Sequence, residues 1–201
     1  MEATIELKKI VEVVALGNFD LEQYKTIFIN DPRRIDLLEN TAHAFFNFLR
    51  RYYWDRFAID ISRITDVRFQ NKGENLTIDI FEEIAEKNDF DFIEEIKINN
   101  KKIRELAKYF RERRNKITAH IDIKYATGRI EFIPDTKALQ KVEEIYNLLK
   151  RTIFHFYKIY EAQLPPVDIL IVQGDAHDLM KYLRKGYNAT IKITDPETPL
   201  H

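Results

Sequence analysis

From Asp31 to Ile64 apolar side chains recur at helical spacing: Ile35, Leu38, Ala42, Phe45, Phe46, Leu49, Tyr53, Phe57, Ile61 and Ile64. Asp31-Pro32 opens the run with an N-cap followed by proline at the first helical position. A pattern of this length excludes a sheet protein, and it exceeds the average helix several-fold, which leaves room for a kink or break. The rest of the chain follows suit. Only 5 glycines and 6 prolines occur in 201 residues, mainly at junctions, so the chain reads as all-α.

Further helices are expected on either side. Residues 2–16 carry Ile5, Ile10, Val13 and Val14 and end at Gly17-Asn18, a helix stop signal. Asp20 to about Ile29 reads as a second, shorter helix. Asn71-Lys72-Gly73 reads as a loop, after which Asn75 or Thr77 caps a short helix to about Glu86. A helix from about 98 to 120 is led by Asn99-Asn100. Ile121–Tyr125 and Arg129–Phe132 alternate around Thr127-Gly128 as a short hairpin or extended loop. Asp135-Thr136 caps the last strong helix, with Leu139, Val142, Ile145, Leu148, Leu149, Ile153, Phe156 and Tyr160 on its stripe. Pro165-Pro166 ends that unit. The expected organisation is an up-and-down helical bundle over 1–164 and an extension over 165–201. That short mixed tail holds a strand-like run at Val167–Val172, a helix near 176–185 and a strand near Ile191.

No apolar run approaches the roughly 20 residues of a membrane span. The opening MEATIELKKIVEVV reads as an amphipathic helix rather than a signal peptide. With no cysteine there is neither a disulfide framework nor a thiolate metal site, and a cytoplasmic protein is the simplest reading. The net charge of −1 hides a segregation. Asp79–Glu95 holds eight acids against Lys87, whereas Lys97–Lys116 holds nine bases against Glu105 and Glu112. The two segments neutralise each other, or form ordinary solvated helix faces, or the second offers a basic face to a polyanion.

The chemistry-bearing stretch is Arg113-Arg114-Asn115-Lys116-Ile117-Thr118-Ala119-His120-Ile121-Asp122. On an ideal helix Ile103, Leu106, Ala107, Phe110, Ile117 and Ile121 share a face, and Arg114 falls in its middle. A buried guanidinium needs a carboxylate in the core or an anion in a groove. His120 projects about 120° from Arg114 but only about 20° from Arg113, so which arginine partners it stays open, and a second copy across a twofold axis could supply the partner. RNA suits this set because it carries its own nucleophile, the 2′-hydroxyl. A histidine can act as general base or acid, and an arginine can stabilise the charge on the phosphorane. Asn115 can hold the imidazole tautomer or the phosphate, and Asp122 can orient the ring. No metal or cofactor is expected.

The phrase Arg-Asn-Lys-Ile-Thr-Ala-His-Ile-Asp in a helical protein of this size resembles the HEPN superfamily, most of all its branch tied to abortive phage infection. Asp60-Ile61-Ser62-Arg63-Ile64-Thr65-Asp66 and Lys72-Gly73-Glu74-Asn75-Leu76-Thr77 resemble that branch's second-helix end and following loop, so the likeness covers roughly residues 20–160. It implies a helical bundle acting as a metal-independent endoribonuclease, a toxin or phage-defence effector, usually dimeric, with an antitoxin protein as a further partner. It assigns the arginine role to Arg114, the polar position to Asn115 and the histidine to His120. Asp122 stands where some toxins of the superfamily carry a tyrosine that a partner enzyme modifies, and Tyr125 is no obvious substitute. Arg113 and Asp122 are supporting residues, and Lys108, Arg111, Lys116, Arg50 and Arg51 are candidates for RNA contact. The alternative is a non-catalytic HEPN-type module that binds RNA or nucleotides.

Other candidates read as structural. Glu39 and His43 have a metal-capable spacing but no matching set on a second helix. His155 reads as a packed histidine, Asp175 and His177 as capping and surface residues. Tyr52, Tyr53 and Trp54, beside Arg50, Arg51 and Arg56, read as packing residues before a base-stacking platform. There is no glycine-rich phosphate loop.

Overall fold

The computed structural model describes residues 2–31, 33–70, 73–118, 136–160, 163–168 and 174–194. Among these are six helices: α1 (Ile5–Phe28), α2 (Arg33–Ile64), α3 (Asp79–Lys87), α4 (Ile93–Arg113), α5 (Thr136–Tyr160) and α6 (Ala176–Thr194). A π-helical turn, Arg114–Thr118, continues α4. Two residue pairs, β1 (Phe69–Gln70) and β2 (Gly73–Glu74), form a minimal antiparallel hairpin with Phe69 opposite Glu74. The protein is all-α, as its patterning predicts.

The chain divides into two compact units, 1–19 with 54–170 and 20–53 with 171–201, so α1 and α2 each contribute to both. In the first unit α4 packs against α3 and α5. Its core joins Leu7, Ile10, Val14, Phe57, Ile61, Phe81, Ile103, Phe110, Ile145 and Phe156, all buried. Every residue of the expected α5 stripe is buried. In the second unit Leu21, Tyr24, Ile27, Phe28, Leu37, Leu38, Phe46, Ala176 and Met180 are buried. The Gln23 amide oxygen accepts from Ala176 N–H at 2.6 Å there.

Several local expectations are corrected. Gly17-Asn18 does not end a helix, because α1 runs through it to Phe28. The glycine answers to packing instead: a Cβ at position 17 would lie 2.1 Å from the Tyr146 hydroxyl and 2.7 Å from its ring. Asn18 is buried and donates to the Val167 carbonyl at 3.4 Å, so its side chain bonds across the unit rather than capping. Neither Asn75 nor Thr77 caps α3 through its side chain; Ile78 occupies the cap position, and the Thr77 hydroxyl donates to Asp79 at 3.2 Å. Asn99 and Asn100 do not lead α4, which starts at Ile93. Both are buried inside it, bonding Thr152 at 3.2 Å and the Ile78 carbonyl at 3.0 Å. The segment near Ile191 belongs to α6 rather than a strand.

Other expectations hold. Asp31 caps α2 through the Arg33 N–H at 3.1 Å. The long helix breaks at Ala42, whose φ of −153° and ψ of 59° are not helical. Just before it the Thr41 hydroxyl donates to the Leu37 carbonyl at 2.6 Å, a bond known to bend helices. Of the expected stripe, Ile35 and Phe45 are exposed. The expected hairpin at 121–132 and most of the strand-like run at 167–172 lie outside the described residues.

Gly17→Ala tests the packing reading. In a helix interior alanine is favoured over glycine by roughly 0.8–1 kcal/mol. Overpacking against Tyr146 costs about 1–3 kcal/mol and outweighs that gain, so the urea midpoint is expected to fall at unchanged m-value. A midpoint that rises would mean that propensity alone governs position 17.

Candidate active site

Arg113 is the last residue of α4 and is buried at 4% exposure. Its Nη2 donates to Asp55 Oδ1 on α2 at 2.8 Å. From Arg114 the backbone changes to π geometry, which adds a residue to the turn and ends the 100° phase on which the sequence argument relies. Arg113 faces the core, whereas Arg114 is half-buried, its Nη1 3.8 Å from Asp66 Oδ2. The Arg114 Nε donates to Asn115 Oδ1 at 3.1 Å, and Asn115 is exposed. The carboxylate that the sequence demands for a buried arginine is therefore present, but it answers Arg113.

Arg111 lies in the field of Arg114, Arg104 and Asp66. Arg111 Nη2 donates to the Thr65 carbonyl at the end of α2, at 3.1 Å. Burial, with Arg104 and Arg114 adding to it and Asp66 opposing, pushes the Arg111 guanidinium below its ordinary range. Thr65 and Asp66, part of the segment that carries the family resemblance, thus act as anchors for two of these arginines. Asp55 has no comparable motif. The only signal for it is the general need of a buried guanidinium for a carboxylate, which does not say where the carboxylate lies.

The two charge runs are partly neutralised internally. Arg104 pairs with Asp79. Lys97 reaches Glu86 at 3.0 Å and Glu94 at 3.3 Å. Lys102 pairs with Glu144 on α5, and Lys116 with Glu112. Lys108 is exposed. Arg50 and Arg51 are exposed in the other unit, with the Arg50 guanidinium 5.0 Å over the Phe28 ring. His120 and Asp122 lie outside the described residues, as does Tyr125.

The residues read as structural take structural places. Trp54 is buried, Tyr52 is exposed, and burial pushes the half-buried Tyr53 hydroxyl up to about 12. His155 stacks on Phe92 with ring centroids 4.8 Å apart, its Nε2 3.1 Å from Glu95. His43 is exposed and bonds Asn47 at 2.8 Å. Asp175 caps α6 through the His177 and Asp178 N–H groups. No group of three or more His, Asp or Glu that could hold a metal ion occurs among the described residues, and no described helix is long and apolar enough to cross a membrane.

An all-α chain with arginines and an asparagine at the end of α4 and a histidine six residues after the second arginine is what the resemblance to the HEPN superfamily implies. The particular branch is given by comparison with known families: the family described as AbiU2, HEPN AbiU2, matches residues 3–179, and the chain belongs to it. This is an abortive-infection family, and the match extends past Pro165 into the start of α6. No curated protein and no solved structure matches the chain.

The buried pair yields a stability test. Removing one partner of a buried ion pair costs about 3–5 kcal/mol; with Asp55 29% exposed, Asp55→Ala is expected to cost about 2–3 kcal/mol. Arg113→Met removes the charge with its length retained and is expected to cost less than half of that. Urea midpoints of the two variants decide the matter, and equal losses would show that the charge itself is not what Asp55 compensates.

Proposed function

We propose that the chain is a metal-independent endoribonuclease, a toxin or defence effector of the abortive-infection type. One observation carries the reading. Arg114 is held half-exposed at the π-helical turn by Asn115, with Asp66 no nearer than 3.8 Å to its guanidinium, six residues before His120. A guanidinium so placed can meet an oxyanion as charge develops on it. In the reaction the 2′-oxygen bonds to phosphorus as the bond to the 5′-oxygen breaks, leaving a 2′,3′-cyclic phosphate. One proton leaves the 2′-hydroxyl and one arrives on the departing 5′-oxygen. His120 takes one of these transfers, and in a dimer the two motifs facing each other supply both. Arg114 stabilises the phosphorane, Asn115 orients Arg114 or the phosphate, and Asp122 orients the imidazole. Arg113, committed to Asp55, positions the turn rather than touching RNA.

His120→Ala is expected to lower the cleavage rate by about 10²–10⁴-fold, and Arg114→Ala by about 10²–10³-fold. Assays on purified protein in EDTA, with an RNA and its analogue carrying a single 2′-deoxy nucleotide at the cut site, test the mechanism. Scission of the deoxy analogue, or loss of activity in EDTA, would sink it. Salt-sensitive RNA binding with no scission under any condition would favour the binding module.

The dimer is part of the same proposal. Light scattering at micromolar concentration is expected to give twice the chain mass, with specific activity falling on dilution. A monomer whose activity is linear in enzyme would count against it.

A further inference from the structure

Within the second unit the first turn of α2 and one face of α6 enclose a groove of about 350 Å³. It is lined by Arg34 on α2 and by His177, Lys181, Arg184, Lys185 and Asn188 on α6, over Met180. The lining holds four permanent cations and no carboxylate. On α6 the spacing 177, 181, 184, 185, 188 keeps these groups on one face, along about 16 Å at 1.5 Å per residue.

This arrangement is costly as it stands. Like charges three and four residues apart on a helix repel, and from Lys181 to Thr190 no acid is present to offset them. Arg184 reaches Asp31 at 3.3 Å, but that carboxylate is claimed chiefly by Arg33, which bonds it through Nε and Nη2 at 2.9 and 3.1 Å. The Arg33 guanidinium, with Arg184 adding to it, holds the Asp31 carboxyl well below its ordinary range. Arg34 lines the groove from α2, and its Nε and Nη1 have no hydrogen-bond partner. A guanidinium and an oxyanion pair through charge-assisted hydrogen bonds, so a phosphate suits this lining.

The groove's length and its border indicate which oxyanion. A line of cations on successive helical turns suits a row of phosphates better than one small ion. Tyr182 lies beside it, 65% exposed, with Lys185 Nζ 5.9 Å from its ring centroid. An exposed aromatic ring next to a basic groove is the combination with which proteins hold single strands, phosphates on the cations and bases on the ring.

We infer that this groove is a docking site for the substrate RNA strand, Arg34, Lys181, Arg184 and Lys185 taking its phosphates and Tyr182 stacking a base. The inference rests on the ribonuclease reading for the word substrate, but not for the binding itself.

The test uses the full chain carrying His120→Ala, so that scission cannot interfere, with a labelled single-stranded oligouridylate followed by fluorescence anisotropy across a salt series. In the Lys181→Gln, Lys185→Gln double variant the slope of log affinity on log salt is expected to flatten by about 1.4, two single-strand contacts at about 0.7 each. Tyr182→Ala is expected to weaken binding by roughly 5- to 100-fold. The Lys181→Arg, Lys185→Arg variant should keep the slope, which separates lost charge from lost fold. An unchanged slope and affinity in the glutamine variant would overturn the proposal. So would displacement of the RNA by polyglutamate at equal charge concentration, which would mark an acidic protein partner. Displacement by inorganic phosphate with no effect of Tyr182→Ala would reduce the groove to a phosphate site and overturn it too. Chains with His120 intact separate this from the function proposed above. Groove variants that bind weakly in a protein that cuts nothing leave the docking site standing and the ribonuclease fallen. Normal binding by the groove variants in a protein that does cut gives the reverse.

Discussion

The Arg113–Asp55 pair is the constraint on which the candidate site depends. A guanidinium buried to 4% exposure at the end of a helix cannot be left uncompensated, and Asp55 on α2 compensates it at 2.8 Å. The bond ties the C-terminal end of α4 to α2. The backbone passes into a π turn, Arg114 turns outward, and the Thr65–Asp66 end of α2 lies under Arg111 and Arg114. Of two adjacent arginines, the one is paired and buried and the other half-exposed. The spacing of the sequence leaves open which is which, because it assumes an unbroken helix.

The segregated charge runs follow the same logic of compensation. Along α3 and α4 they meet as Arg104–Asp79 and Lys97–Glu86, and Asn100 bridges to Glu82 at 2.7 Å. Such half-exposed pairs contribute little stability one by one. Their effect is on register: an acidic helix beside a basic one has one favourable alignment. The cost is that the basic run, although seven charges in excess by sequence, presents far less free charge than its composition suggests.

What was legible in the sequence was periodic. The stripes of α2 and α5, the cap at Asp31 and the strain of so long a helix all follow from spacing that any bundle must respect. The misses share a physical cause. Gly17 carries the composition of a helix stop, but the ring that demands a glycine there, Tyr146, is 129 positions away. Asn99 and Asn100 look like helix leaders because asparagine favours helix ends, yet their amides bond Thr152 and the Ile78 carbonyl. Tertiary partners distant in sequence override local propensity in each case. The motif arginines show both sides. That one of them must be paired was readable from the cost of burying a guanidinium, whereas which one depended on a backbone change that no residue type announces.

Arginine pairing over the described residues then serves as a map of function. Arg33, Arg56, Arg68, Arg104 and Arg113 each meet a carboxylate within 3.0 Å, Arg33 and Arg56 locally on α2 and the other three between segments. Arg111 has only a carbonyl, Arg114 approaches Asp66 no closer than 3.8 Å, and two nitrogens of Arg34 have nothing. Guanidinium groups are desolvated at a cost that a structure recovers by pairing them. For Arg111, Arg114 and Arg34 that recovery is weaker than for these five. A chain of net charge −1 has acids enough to pair these arginines as well. That Arg111, Arg114 and Arg34 have no carboxylate within 3.0 Å is a feature that total charge does not reveal.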